Sequence, residues 1–198
     1  MNPKHPELIG RTAAKHRVET ALRFFGPLIA AAVYLYTLRV LLDDHTFSLL
    51  LATMAAEFFP PSSIEFAVPI GHFLGLSYAA IIIALTFQNV MAALFITWNY
   101  HLLFHLPRVG ILFVRFRDKM KKFVKKNHLT RHATIFALFI FFILPFKGTG
   151  SVSMAFIGKL INVEDWKIIL ISIIGTVFVS AVILLSLAGL GIFADKVW

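Results

Sequence analysis

Residues 47–74 read FSLLLATMAAEFFPPSSIEFAVPIGHFL, which is two short apolar stretches separated by a break of prolines and serines. The first stretch, residues 47–59, covers only about 20 Å as a helix, whereas the hydrocarbon core of a bilayer is about 30 Å thick. Neither stretch is therefore long enough to cross a membrane alone. We expect the two to form a re-entrant hairpin, which enters and leaves the membrane on the same face.

Longer apolar stretches lie around this pair, at residues 21–42, 76–103 and 168–190, and each is long enough to span the hydrocarbon core. Of the 198 residues, 59% are hydrophobic and only 15% are charged. A typical soluble domain carries about 25% charged residues. The sequence therefore predicts an all-α integral membrane protein with full-length transmembrane helices.

The second half of the chain repeats the pattern of the first half. Residues 133–144 and 152–160 are again short apolar stretches, separated by a break that begins at Pro145, and a full-length span follows them. If the positively charged segments lie on one side of the membrane, the two hairpins open in opposite directions. We therefore expect an inverted repeat with two re-entrant helical hairpins that meet near the membrane midplane, as in many transporters.

Positive charge is concentrated in two segments of this chain, whose net charge is +9. One is a basic arm, residues 1–20, before the first half at residues 21–103. The other is a basic amphipathic segment, residues 104–131, before the second half at residues 132–198. Because basic loops remain on the cytoplasmic side, we expect both segments in the cytoplasm of a multi-pass plasma-membrane protein. Residues 104–131 would lie on the membrane or add a span, and the apolar spans around them argue against nucleic-acid binding.

The two breaks predict a cavity inside the membrane. Irregular backbone at membrane depth is tolerated only where it is buried in protein or lines a water-filled space. The polar residues near the breaks, with two amides in the middle of a span, are therefore candidates for binding a substrate or an ion. These residues are Glu57, Glu65, Gln88, Asn89, Lys147, Thr149 and Ser151.

Among these candidates, we expect Glu65 to carry a proton or a cation, because ionisable side chains inside membranes usually serve a function. Lys147 and nearby helix N-termini would then hold an anionic group. In the alternative interpretation, an ion pair between Glu65 and Lys147 only locks the hairpin tips together. Separate alternatives are that Glu57, near the end of its stretch, faces water, and that Gln88 and Asn89 only hold helices together.

The sequence predicts no metal site, no cofactor and no catalytic site. Cysteine is absent, which excludes thiolate zinc sites and iron–sulfur clusters. His101 with His105, and His128 with His132, have the spacing of metal ligands on a helix, but neither pair has a carboxylate nearby. No pairing of a nucleophile with a base stands out, so we do not expect an enzyme.

Two motifs resemble a known family. Residues 144–151 read LPFKGTGS after a short phenylalanine-rich stretch, and residues 65–71 read EFAVPIG before a span that carries Asn89. Over residues 45–190 the chain resembles the small multi-drug export protein family by these motifs. Its pattern of short and long stretches is also similar to the DedA-type (VTT) group, whose paired re-entrant hairpins are associated with lipid-phosphate translocation and lipid scrambling.

The motifs and the resemblance together predict a small secondary transporter or a lipid-phosphate flippase. It would work by alternating access between the two hairpins, with proton coupling through Glu65. Its partners would be membrane lipids, a small solute or lipid head group, and a second copy in a homodimer. The alternative is a non-transporting membrane scaffold or assembly protein, in which the basic segment 104–131 binds anionic lipid or a partner.

Overall fold

A computed structural model describes residues 6–58, 64–100, 131–143 and 150–194. Within these ranges the chain forms helices joined by short turns, without any strand. The helices are α1 (Pro6–Leu41), α2 (Asp44–Ala56), α3 (Ile64–Phe73), α4 (Tyr78–Asn99), α5 (Arg131–Ile143), α6 (Ser151–Leu160) and α7 (Asp165–Ala194). The predicted all-α class is therefore confirmed.

Three helices are long and apolar enough to cross a membrane. The spans are Val18–Leu41 within α1, Tyr78–Asn99, which is α4, and Asp165–Gly189 within α7. They agree with the three spans expected from the sequence to within a few residues at each end. Helix α1 already begins at Pro6, so most of the expected basic arm continues the first span as helix. The long apolar helices indicate a membrane protein.

The other four described helices are short. Helices α2 and α5 have 13 residues each, and α3 and α6 have 10 residues each. The longest of them therefore reaches about 20 Å, which is less than the thickness of the hydrocarbon core. These lengths match the short stretches in the sequence. Residues 59–63 and 144–149, which contain the first break and most of the second, lie outside the described residues, so the hairpins and the inverted repeat stay predictions.

Local signals set the helix ends around the first short pair. Asp43 caps α2, because its side chain accepts a hydrogen bond of 2.9 Å from the backbone N–H of Thr46. This hydrogen bond holds the pKa of Asp43 below its usual range. Ser77 caps α4 by accepting from the backbone N–H of Ala80 at 3.3 Å. Between α3 and α4, Gly75 has a φ angle of +80°, a conformation that only glycine adopts easily.

Helices α4 and α7 pack against each other at the centre of the described fold. Helix α6 packs mainly on α4, and α3 packs on α7 as well as on α2, so each of these short helices contacts the long helix of the other half. Gly71 allows α3 to approach closely, because a Cβ atom at this position would lie 2.9 Å from side-chain atoms of both Thr53 and Ile81. Small residues at helix contacts are typical of packing inside membranes.

Helix α1 lies at the edge of the fold. Only 6% of its span is buried, compared with 44% for the span in α7. It contacts α4 and, to a lesser extent, α2. Large apolar side chains on its outer surface, such as Leu22, Ile29 and Val33, are exposed and would face lipid chains. Helix α1 is therefore the span that is held least by other described residues.

Candidate functional site

The carboxylate of Glu57 is held by two amide side chains. Glu57 follows the last residue of α2, and its side chain reaches the middle of α4. Asn89 Nδ2 donates to Glu57 Oε1 at 2.7 Å, and Gln88 Nε2 donates to Glu57 Oε2 at 2.9 Å. Each carboxylate oxygen thus has its own donor, and the two donors come from consecutive residues of α4.

The orientation of both amides is fixed by further hydrogen bonds. Gln88 Nε2 also donates to the backbone oxygen of Met54 at 3.0 Å, and Asn89 Nδ2 also donates to the backbone oxygen of Leu85 at 2.9 Å. Every one of these partners is an acceptor, so exchanging the oxygen and nitrogen of either amide would bring two oxygens together. The two NH₂ groups therefore belong on the side of Glu57.

The second half of the chain joins the same network through Asn89. Ser151, the first residue of α6, donates its hydroxyl to Asn89 Oδ1, and Ser172 of α7 donates to the Ser151 hydroxyl at 3.2 Å. Asn89, Ser151 and Ser172 are all buried. The resulting chain, which we call the polar network, runs from Glu57 through Asn89 and Ser151 to Ser172. It connects α2, α4, α6 and α7.

Glu65 lies in the first turn of α3 and is half-buried. It is close enough to Glu57 for the two negative charges to repel each other. Within the described ranges, the Glu65 side chain has no hydrogen bond, and neither glutamate forms an ion pair. The described part of the site therefore holds two carboxylates with no cation beside them.

The buried side of α7 carries further hydroxyl groups. Ser172, Thr176 and Ser180 recur every four residues, which places them on one face of the helix, and all three are completely buried. Thr176 Oγ1 and Ser180 Oγ have no hydrogen-bond partner among the described residues. The polar network therefore ends on a row of hydroxyls that follows α7 beyond Ser172.

The structure brings together four of the seven candidate residues, Glu57, Gln88, Asn89 and Ser151. Glu65 lies beside this group. Lys147 and Thr149 lie outside the described residues, so the expected contact between Glu65 and Lys147 stays a prediction.

Gln88 and Asn89 link α4 to α2 through the Glu57 carboxylate, and both predicted roles, binding a substrate or ion and holding helices together, stay predictions. Ser172 was not a candidate in the sequence analysis. Its position four residues before Thr176 in an apolar span is the signal that marks it.

The chemistry available here is the exchange of a proton or a small cation on a carboxylate. An ionised Glu57 accepts charge-assisted hydrogen bonds from both amides, whereas a protonated Glu57 would accept only weaker, neutral ones. Gain or loss of the charge thus changes the contact between α2 and α4. Among the described residues, no group of three His, Asp or Glu side chains could hold a metal ion.

Comparison with known proteins matches this chain to a protein family. The family model described as "Putative small multi-drug export protein" matches residues 64–183. The matched segment includes Glu65, Asn89, Ser151 and Ser172, whereas Glu57 lies just before it. No curated protein and no solved structure matches the chain.

Proposed function

Because the chain belongs to the small multi-drug export protein family, we propose that it is a small secondary transporter that exports its substrate across the plasma membrane. The observation that carries this proposal is the enclosure of Glu57 by two amides in a polar network that reaches both halves of the chain. An ionisable group held among membrane helices is costly to keep and usually serves a function. Transporter binding sites commonly lie where two structural repeats meet.

The mechanism that we propose is alternating access between two re-entrant hairpins, one containing α2 and α3 and the other containing α5 and α6. The contacts of α3 with α7 and of α6 with α4 support this reading, since each short helix rests on the other half. We assign the proton to Glu57, whose carboxylate both amides hold, rather than to Glu65 beside it, which the sequence favoured. Protonation removes the charge that attracts both amides, loosens α2 from α4 and allows the first hairpin to move.

A cationic or neutral substrate fits this site better than a lipid phosphate. Glu57 and Glu65 would both repel a phosphate group, and within the described residues no cation lies beside them to offset that repulsion. A lipid-phosphate flippase would have to rely on Lys147 or on other residues outside the described ranges. We therefore favour the solute transporter over the flippase.

The proposed function is tested by transport into liposomes that contain the purified protein, with a pH gradient across the membrane. Wild type, Glu57→Gln and Glu65→Gln are compared with a cationic dye and with a fluorescent lipid-phosphate analogue. Glu19→Gln is the matched control, because Glu19 is exposed and its surface ion pair with Arg23 contributes little to stability. We expect proton-dependent dye movement in wild type and in the control, and a loss of that movement in Glu57→Gln.

Two results would contradict the proposal. Full proton-dependent transport by Glu57→Gln would show that this carboxylate is not the proton carrier. The chain is instead a scaffold or assembly protein if two results occur together. Folded wild-type protein moves neither probe, and a variant with the lysines of residues 104–131 neutralised no longer replaces the wild-type protein in cells. The same preparation shows by cross-linking whether the protein is the expected homodimer.

The proposed orientation places residues 1–20 and 104–131 in the cytoplasm and the turn between α1 and α2 outside. The natural chain has no cysteine, so single cysteines can be introduced without background. A membrane-impermeant maleimide should label His45→Cys in intact cells, and it should label Lys121→Cys only after the cells are opened. The reverse pattern would invert the orientation.

A further inference from the structure

Helices α5 and α7 form a groove of about 580 Å³, and none of the described residues that line it belongs to the polar network. Phe136 of α5 is 64% exposed, so the groove opens toward the surroundings of the protein, which beside a transmembrane helix are lipid chains. Its size is in the range of ligand sites. Most of its wall is apolar and consists of Ile135, Phe136, Phe139, Leu170, Ile171 and Ile174.

The deep end of the groove is closed. One turn beyond Phe139, the ring of Phe142 lies so close to Gly175 of α7 that a Cβ atom at this glycine would have no room. The two helices therefore touch at this level. Gly175 is eight residues beyond Lys167, which is about 12 Å along the helix. Because half of the hydrocarbon core is about 15 Å thick, the groove begins near one membrane surface and ends before the midplane.

The shallow end of the groove carries a positive charge. Lys167 lines it, and no other described lining residue has a charged side chain. Lys167 Nζ lies 5.1 Å from the centre of the Trp166 ring, which also lines the groove and is 60% exposed, so the ammonium group is at this end. Tryptophan and lysine at the end of a span are typical of the membrane interface.

The ammonium of Lys167 also forms an ion pair of 2.9 Å with Glu164, whose side chain is 44% exposed. Ion pairs that are open to solvent contribute little to stability. An anion of the membrane interface can therefore compete with Glu164 for this ammonium or share it. The phosphate groups of phospholipids are the anions that lie at this level.

We propose that the groove binds one phospholipid from the leaflet next to the N-terminus of α7. One acyl chain lies between α5 and α7, and the phosphate accepts hydrogen bonds from Lys167. The apolar wall fits the chain, the closed end fits a chain that stays within one leaflet, and the ammonium fits the phosphate. The lipid is a bound structural ligand, so this inference goes beyond the proposed function and does not depend on Glu57.

A helix from a second copy of the chain fits the groove less well. A helix with its side chains is about 10 Å wide, whereas an acyl chain is a single row of methylene groups. Since the walls meet where Phe142 touches Gly175, the groove tapers to a closed end, and a helix would rest on its edges. The thin occupant is therefore favoured, and the experiment separates the two.

The experiment uses native mass spectrometry to count lipid molecules on the full-length protein, purified in detergent and freed of native lipid. The probe is dioleoylphosphatidylglycerol, and the comparison is dioleoylglycerol, which has the same two chains without the phosphate. Lys167→Gln removes the ammonium group. Leu170→Trp fills the groove, because Leu170 lines it. Thermal unfolding confirms that each variant is folded.

Each of these variants has a matched control. Arg23→Gln removes a cation that also pairs with a glutamate on its own helix. Arg23 lies at the same end of the fold as Lys167, because α4 ends beside both regions: Asn99 donates to the backbone oxygen of Arg23, and the next residue, Tyr100, contacts Lys159 near the end of α6. Leu185→Trp adds the same bulk as Leu170→Trp at an exposed position of α7 outside the groove.

We expect the first molecule of phosphatidylglycerol to bind wild type about tenfold more tightly than dioleoylglycerol, and Lys167→Gln to reduce this preference to about twofold or less. Glu164→Gln should bind phosphatidylglycerol about twofold or more tightly than wild type, because it removes the competing carboxylate. Leu170→Trp should weaken the binding of both lipids about fivefold or more, since both place a chain in the groove. Both control variants should stay within about twofold of wild type.

Three results would overturn the inference. The first is that Lys167→Gln keeps the full preference for phosphatidylglycerol. The second is that Arg23→Gln loses as much of this preference as Lys167→Gln, which would indicate a diffuse attraction of lipid to the basic end of the fold. The third is that Leu170→Trp binds both lipids as wild type does. If this variant also converts a dimer into monomers, the groove is an interface between two copies of the chain.

Discussion

Replacing Asn89 by leucine should destabilise the protein more than any other loss of a single amide among the described helices. Leucine has nearly the same size but neither donor nor acceptor. The change removes the hydrogen bond to the Glu57 carboxylate and leaves the Ser151 hydroxyl without its acceptor. It therefore affects the contacts of α4 with both α2 and α6.

The magnitude follows from the two bonds that are lost. A hydrogen bond to a charged group contributes about 1.5–3 kcal/mol. A neutral hydrogen bond between membrane helices contributes about 0.6 kcal/mol on average. We therefore expect Asn89→Leu to lower the free energy of unfolding by about 2–4 kcal/mol.

Asn99→Leu is the matched control for this measurement. Asn99 is a buried asparagine on the same helix, but its bond to another helix is a single neutral one, to the backbone oxygen of Arg23 at 3.0 Å. Its replacement should cost only about 0.6 kcal/mol. Unfolding is followed by tryptophan fluorescence while SDS is titrated into protein in mixed micelles. The reasoning is refuted if Asn89→Leu costs no more than Asn99→Leu.

Two further predictions concern packing and capping. Gly71→Ala should destabilise the fold by about 1–3 kcal/mol in the same assay, because the new methyl group would crowd side chains of α2 and α4. Gly189→Ala, which has nothing within 4 Å of the new methyl group, should be neutral or stabilising, and equal effects would refute the packing argument. The cap of α2 should weaken in acid, because the pKa of Asp43 is lower in the folded protein than in the unfolded chain. The contribution of this cap to stability is therefore complete above the pKa of Asp43 in the unfolded chain, and it is lost as the pH falls through the pKa of Asp43 in the folded protein. Asp43→Asn keeps a capping side chain that does not titrate. Helix content is measured by circular dichroism as the pH falls, and this cause is contradicted if the variant loses helix at the same pH as wild type.

The helix lengths could be predicted from the sequence because they are a local property. The number of residues in an apolar stretch can be counted and compared with the thickness of a bilayer. Both the three spans and the four short helices were expected on this basis. The motif at residues 144–151 and the motif at residues 65–71 likewise led to the family that the family model confirms.

The contacts of the candidate site could not be predicted in the same way. Glu57 and Glu65 both interrupt apolar stretches, and nothing local in the sequence says which of them reaches the amides of α4. In α7 nearly every residue is apolar, so hydrophobic periodicity does not reveal the buried face. Small polar residues such as Ser172 and Thr176 mark that face instead, but the contact of Ser172 with Ser151 cannot be read from the sequence.

The order in which the polar network can form follows from its spacing along the chain. Glu57 is separated by 31 and 32 residues from its amide donors, whereas Asn89 is separated by 62 residues from Ser151, and Ser151 by 21 residues from Ser172. During synthesis, Glu57 therefore emerges before α4 can supply a donor, and the network cannot be completed until α7 has emerged. A nascent chain that stops after α4 would hold the carboxylate with two amides but leave Asn89 Oδ1 without its hydroxyl donor. Insertion of α7 is thus the step at which hydrogen bonds connect the parts of the chain that are made early and late.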